Sequence, residues 1–540
     1  MCVLSFAFQT GRFMASSFPT RSYPYRKAGL AIESADPPAP VAPGRVFGFR
    51  IGVETQPIEL APAEVAALGD PLAVHVLAPG HRPLTTDALL ALLDGAGVLL
   101  ERRSFLVAEG GQVRHGPQTA ELDRGFRFVI AGRTAAGWDL MISTAAPFDN
   151  AEIFLQVMAW DAGAGAFAYY ERRGGSWIRA GSSHDALADA TRGRGPFDSH
   201  VNGGMVMKEL KLPWLHWHSL SQTIGASAFA PGEPLLDHPL FVQRRGAQEL
   251  ETIVRGGIDR WTRARLDRAL DGPGRIARPD WLMRHVLTAT SANVAAAPVP
   301  YDGPDDIPIP IPPTFLFDSD VLLDLLGIDL AIARPPQVTR GRYRAAAARI
   351  GLRLQNGPFR QEGDAFFAWP IPERAFEDVH VIDHLLRRRW LSRRTAAALT
   401  MMDYTNPLGS PRRAALMRHV SAGPTAPEAL EPELLTAILA APETDAALAA
   451  DLQLPEAEWP GVCAARIAAY VAAVQAAADT DAGLDALMAL ADSRRRAFRT
   501  RKIAEFDMTL PWTDIAEHAP LLRIEPDGSV RPDPPEEQRP

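Results

Sequence analysis

Apolar positions follow two regimes along this chain. From Val46 the pattern becomes strand-like, with short apolar runs at Phe47–Gly52, Leu72–Leu77 and Gly97–Leu106 and one helix-like stretch at Thr86–Leu93. The clearest runs are Phe126–Ala131, Trp138–Thr144, Ile153–Trp160, Phe167–Arg172 and Ser176–Ala180, all rich in β-branched and aromatic residues and separated by turn formers. Such runs predict strands. Asp161-Ala162-Gly163-Ala164-Gly165 and Arg173-Gly174-Gly175 predict hairpin loops, because glycine supplies the positive φ those turns demand. An antiparallel meander is expected here.

Beyond Ser219 the period lengthens. Leu250, Ile253, Val254, Ile258, Trp261 and Leu266 recur near 3.6 residues and predict a helix within Ala247–Leu270. Pro308, Pro310, Pro312 and Pro313 interrupt this regime between Pro298 and Pro313, as a linker or as extended chain crossing a surface. Mixed structure resumes at Phe315–Ile332 and Tyr343–Leu352. Helices are expected at Ala375–Arg389 and at Arg393–Met402, the latter capped by Ser392. Ser410-Pro411 opens another, since proline suits the first helical position. Ala- and Leu-rich helices should fill Pro427–Glu505.

The predicted class is α+β: an antiparallel β-sheet or sandwich in the N-terminal half followed by a mostly helical C-terminal half. The organisation reads as a mobile arm (1–45), a β-rich domain (46–219), a mixed, mainly helical domain (220–426) with the Pro-rich crossing at 298–313, an Ala-rich bundle (427–507) and a C-terminal tail (508–540) whose end, Pro532–Pro540, is polar.

A net charge of −8 with no long basic run argues against a nucleic-acid partner. Only Cys2 and Cys463 are present, so neither a disulfide framework nor a cysteine metal site is expected. No apolar run stands out as a membrane span of ~20 residues. Cys2–Phe8 is apolar without a basic residue before it, unlike a secretory signal, and Met14 is an alternative start. A cytoplasmic protein, in which homo-oligomers are allowed, is the expectation. Arginine greatly outnumbers the four lysines, Lys27, Lys208, Lys211 and Lys502, a bias of GC-rich bacterial genomes.

Lys208 and Lys211 bracket Glu209 inside the most unusual stretch, Asp198–Ser219, which holds three of the 13 histidines. If Leu215–His218 is extended, His216 and His218 project to one face. They would then share one metal ion, with His200 or Glu209 as a third ligand, which suits non-haem iron or catalytic zinc. Trp214 and Trp217 would keep the site dry. Glu209 would serve as ligand or general base. Lys208 or Lys211 would anchor a charged small-molecule substrate, and Asn202-Gly203-Gly204 would either cradle an anion or form a simple turn. The expected function is a metal-dependent oxidoreductase acting on a small organic molecule. The alternatives are a haem oxidoreductase using a histidine of the same segment, and a cofactor-free binding or scaffold protein.

Weaker candidates are Glu377, His380 and His384 on one helical face, either half a metal site or a surface group, and the loop Asp403–Pro407. His184 reads as part of a helix cap. Gly163-Ala164-Gly165 leads to a strand rather than a helix, so no dinucleotide fingerprint exists there. No P-loop, GxSxG elbow or HExxH is present.

Overall fold

Eight strands build one sheet in the computed structural model: β1 (Val46–Gly48), β2 (Ile58–Glu59), β3 (Glu101–Val107), β4 (Arg127–Thr134), β5 (Gly137–Ala145), β6 (Leu155–Asp161), β7 (Ala166–Arg173) and β8 (Ser176–Ser182). Their order is β2-β1-β8-β7-β6-β5-β4-β3. From β4 to β8 each strand pairs antiparallel with the next, as the meander predicted, and β1 joins β8 in parallel. The hairpin glycines behave as their loops require, with φ of 56° at Gly165 and 54° at Gly174. The class is α+β. The structure describes residues 42–107, 113–120, 126–207, 224, 226–290, 292–295, 303–317, 320–330, 334–363, 369, 371–374, 376–406, 410–441, 445–499 and 512–534.

The chain divides into two units, and the boundary passes through β3. The sheet unit is Cys2–Ser104 with Arg127–Val206. The helical unit is Phe105–Phe126 with Met207–Pro540.

In the sheet unit, residues 62–95 lie against one face. Trp177 donates its indole N–H to the Pro83 carbonyl (3.1 Å), Thr86 meets Thr144 (2.7 Å), and Tyr170 donates to Asp70 (2.5 Å). Thr86–Gly95 is helical as expected, with the Thr85 side chain capping it at Ala88. Leu72–Leu77 differs from the strand-like expectation: Ala73–Leu77 is a π-helical turn. Asp70 explains it, since its carboxylate accepts the Ala73 N–H (3.0 Å) and starts a helical turn. Burial at Leu72, Ala73, Val76 and Leu77, with Val74 and His75 turned out to solvent, shows a helical spacing hidden in a mostly apolar run.

In the helical unit the C-terminal helices appear where expected: Leu430–Ala440, Ala446–Leu452, Trp459–Ala478 and Asp481–Arg499. The helix Ala247–Asp267 buries Leu250, Ile253, Val254, Ile258, Trp261 and Leu266. Ser392 and Ser410 cap their helices through their side chains. The Pro-rich crossing belongs to the core, because Pro308–Pro310 pairs with Gln337–Thr339 and Ile309 and Ile311 are fully buried. Trp459–Ala478 corrects the reading that no apolar segment reaches spanning length: at 20 residues and mean hydropathy 1.5 it passes by length and composition. Here it turns Ile467, Tyr470 and Val474 into the core, and the Tyr470 hydroxyl donates to the Leu316 carbonyl (2.9 Å).

A buried polar chain ties this unit together. Arg265 Nη2 lies 3.1 Å from His285 Nε2, and His285 Nδ1 lies 2.7 Å from Asp378 Oδ1. Arginine only donates, so Nε2 accepts and Nδ1–H donates to Asp378. Thr290 adds its backbone N–H (3.0 Å) and its hydroxyl to the same carboxylate, and Arg374 binds the His285 carbonyl (2.9 Å). Burial, with Arg265 adding to it, holds the His285 imidazole down at about 4. A neutral folded imidazole faces an unfolded one that protonates near 6.5, so this contribution is present above that value and is lost as pH falls toward 4. The unfolding midpoint of the helical unit in urea, followed by tryptophan fluorescence, should therefore drop between pH 6.5 and 4, by a loss on the order of 3 kcal/mol. His285→Ala should cost about 3–5 kcal/mol at pH 7, because Arg265 and Asp378 stay buried without their bridge. A midpoint that does not move with either change would remove the network from the stability of this unit.

Candidate functional site

The stretch singled out by its histidines begins on the sheet face opposite residues 62–95. After β8 the chain turns through the short helix Ser183–Leu187, started by the Ser182/Asp185 capping box, and through Gly195–Asp198. His184 lies in that helix, beside its cap, as its sequence suggested.

His200 is completely buried, and its Nδ1 lies 2.8 Å from the Gly204 carbonyl. A carbonyl only accepts, so Nδ1 carries the hydrogen and points Nε2 away from that bond. The ring meets Tyr169 of β7 edge-on at 5.3 Å, and Tyr169 meets Phe197 in the same manner at 5.2 Å. Asn202-Gly203-Gly204 forms a turn clamped to the sheet. The Gly203 carbonyl accepts from the Tyr169 hydroxyl (2.8 Å) and from Ser183 Oγ (2.7 Å). Gly203 has φ of 73°, and a Cβ there would lie 2.5 Å from the Ser183 carbonyl oxygen, so only glycine fits. Asn202 is buried beside it.

The remaining residues of this candidate, Lys208, Glu209, Lys211, Trp214, His216, Trp217 and His218, lie outside the described residues. Lys27 and Lys502 do as well. Among the described residues no group of three His, Cys, Asp or Glu side chains is placed to hold a metal ion.

The second candidate resolves into a helix contact. His384 Nε2 lies 2.8 Å from Asp259 Oδ1, while His380 Nδ1 stands 4.0 Å from the same oxygen. Asp259 also pairs with Arg263. The histidine pair thus docks one helix on another, and Asp259, the acid that completes it, lies over a hundred residues away in sequence. The loop Asp403–Asn406 is a pin as well. Asp403 accepts from Ser410 Oγ (2.5 Å) and Arg412 (3.0 Å), and Thr405 Oγ1 donates to the Ile524 carbonyl (2.7 Å). Pro407 is outside the described residues. Burial, assisted by nearby Asp451, pushes the Cys463 thiol up to about 11, which leaves it unreactive at neutral pH.

Two carboxyls that no motif announced are perturbed in the sheet unit. Burial raises Asp70 to about 6 despite the Tyr170 and Ala73 hydrogen bonds. Glu171, next to Tyr170 on β7, rises to about 7 through burial, opposed by Arg173 and Arg172. Its side chain is 15% exposed, and Oε2 stands 3.7 Å from Arg173 Nη2. A carboxyl that titrates near neutrality suits proton transfer.

The sign of its stability effect is the reverse of that for His285. Between its ordinary value of 4.5 and about 7 the folded state holds a proton that the unfolded state has lost, so stability falls as pH rises through that window. Glu171→Gln should leave stability unchanged near pH 4 and raise it near pH 8, by about 3 kcal/mol at most. Chemical denaturation of both proteins at the two pH values checks this, and equal gains at both would show that Glu171 ionises normally. No family model, curated protein or solved structure matches this chain.

Proposed function

We propose that this chain is a metal-dependent oxidoreductase acting on a small organic molecule, with a mononuclear centre, iron or zinc, in the segment Asp198–Ser219. His200, His216 and His218 are its ligands in this reading. Glu209 is a ligand or general base, Lys208 or Lys211 anchors substrate charge, and Asn202, Trp214 and Trp217 line the substrate side. The observation that supports it is His200. A buried imidazole whose Nδ1–H is bound by a backbone carbonyl has the orientation and tautomer of a metal ligand held by its outer partner. The edge-on packing of the same ring on Tyr169 favours a second reading, a cofactor-free binding or scaffold protein in which His200 is a core residue.

The test is elemental analysis and a visible spectrum of protein purified without an affinity metal. Stoichiometric iron or zinc, lost in His216→Ala and in His218→Ala while the circular dichroism stays unchanged, is the expected result. Metal retention should weaken as pH drops through about 6.5, because only neutral imidazole binds. A band near ~400 nm would instead assign the segment to haem, which the same histidines would ligate axially. Absence of both overturns the metal reading in favour of the scaffold.

A further inference from the structure

The strand register sets a line of polar side chains across the middle of the sheet. Val129 pairs with Ser143, Ser143 with Gln156, Gln156 with Glu171, and Glu171 with Ile178, which in turn pairs with Phe47. Paired residues project to one face, so Ser143, Gln156 and Glu171 stand side by side on β5, β6 and β7, flanked by Val129, Ile178 and Phe47. This is the face opposite Tyr170, Trp177 and Thr144, which meet residues 62–95. Central strands normally fill such positions with apolar residues.

Among the described residues Gln156 and Glu171 are incompletely bonded, and the Glu171 side chain is 15% exposed. Ser143 is 0% and Gln156 6% exposed. No hydrogen bond reaches the Gln156 amide from the described residues. Glu171 Oε2 is enclosed and likewise makes no hydrogen bond among them. Buried polar atoms in native folds are nearly always satisfied, and an unsatisfied one destabilises the protein. Glu171 Oε2 is such an atom, held only by the 3.7 Å ion pair with Arg173, and it stands beside Gln156 in the sheet centre, where a group the chain itself does not supply can complete it.

We propose that Gln156 and Glu171, with Ser143 beside them, form the floor of a binding site for a neutral organic molecule bearing a hydroxyl or amide group. Such a group donates to Glu171 Oε2 and exchanges donor and acceptor bonds with the Gln156 amide. An anionic ligand is disfavoured, since the nearest cation, Arg173, already faces Glu171. Tyr169, two residues before Glu171 on the same side of β7, packs against His200, so the floor and His200 share a face. The inference goes beyond the metal reading and stands without it.

The experiment is saturation-transfer NMR on the full chain with benzamide and benzyl alcohol as probes, and benzoate as the charged match. Binding of the two neutral probes to the wild type is expected, with benzoate giving at least tenfold weaker binding. Gln156→Met keeps the side-chain shape and should weaken benzamide at least tenfold with unchanged circular dichroism. If that variant does not fold, Glu171→Gln should still weaken benzyl alcohol severalfold. Equal binding of benzoate, undiminished binding in the folded variants, or no binding to the wild type each overturns the proposal. None of these results depends on metal content, so the two readings fail separately.

Discussion

One hydrogen bond decides which way the central strand faces. Tyr170 donates to the buried carboxyl of Asp70, and the same carboxyl starts the helical turn at Ala73. Side chains alternate along a strand, so fixing Tyr170 against residues 62–95 sends Tyr169 and Glu171 to the other side. A slip of one residue would bring Glu171 to Asp70, two carboxyls in one buried site, and would take Tyr169 away from the Gly203 carbonyl. The clamp on the Asn202-Gly203-Gly204 turn, the packing of His200 and the polar row therefore follow from a single choice of register.

The two units settle the protonation of buried groups by different means. In the helical unit Asp378 collects the His285 N–H and both donors of Thr290, and Arg265 fixes the histidine tautomer from the far side. Charge is buried there, but every lone pair that matters is engaged, which is the condition under which buried polar groups specify one packing rather than weaken it. In the sheet unit Asp70 has a neutral donor and Glu171 a more distant arginine. Desolvation wins in both cases, and both carboxyls rise toward neutrality.

How much of this was legible depends on the range of the signal. Strands β4 to β8 announce themselves because alternation and glycine turns are local, and the serine caps at Ser392 and Ser410 are equally local. Leu72–Leu77 misleads because five apolar residues broken only by His75 carry no clear period, and the residue that tips the balance, Asp70, lies outside the run. The alanine-rich Trp459–Ala478 hides its hydropathy among small residues, while its larger side chains mark the buried stripe. The histidine stretch stands out because histidine is scarce. His285 and Asp378 lie 93 residues apart and carry no motif. Ser143, Gln156 and Glu171 meet only through pairing register, which no spacing within one strand reveals.

The contrast between the two buried polar sets bears on what each is for. Both nitrogens of His285 and both oxygens of Asp378 are matched inside the chain, so this imidazole–carboxylate pair serves the fold, although the Nε atoms of Arg265 and Arg374 beside it make no hydrogen bond among the described residues. The sheet row is less deeply buried, with the Glu171 side chain 15% exposed, and Glu171 Oε2 is left without a hydrogen bond among the described residues. Selection for stability alone would replace such a glutamate with an apolar residue of similar size, as at its cross-strand neighbour Ile178 and at Phe47 one strand beyond. A largely enclosed acid that weakens its own sheet as it ionises, kept in the middle of the β6–β7 pairing, is what a binding or proton-transfer role requires and what a structural role does not.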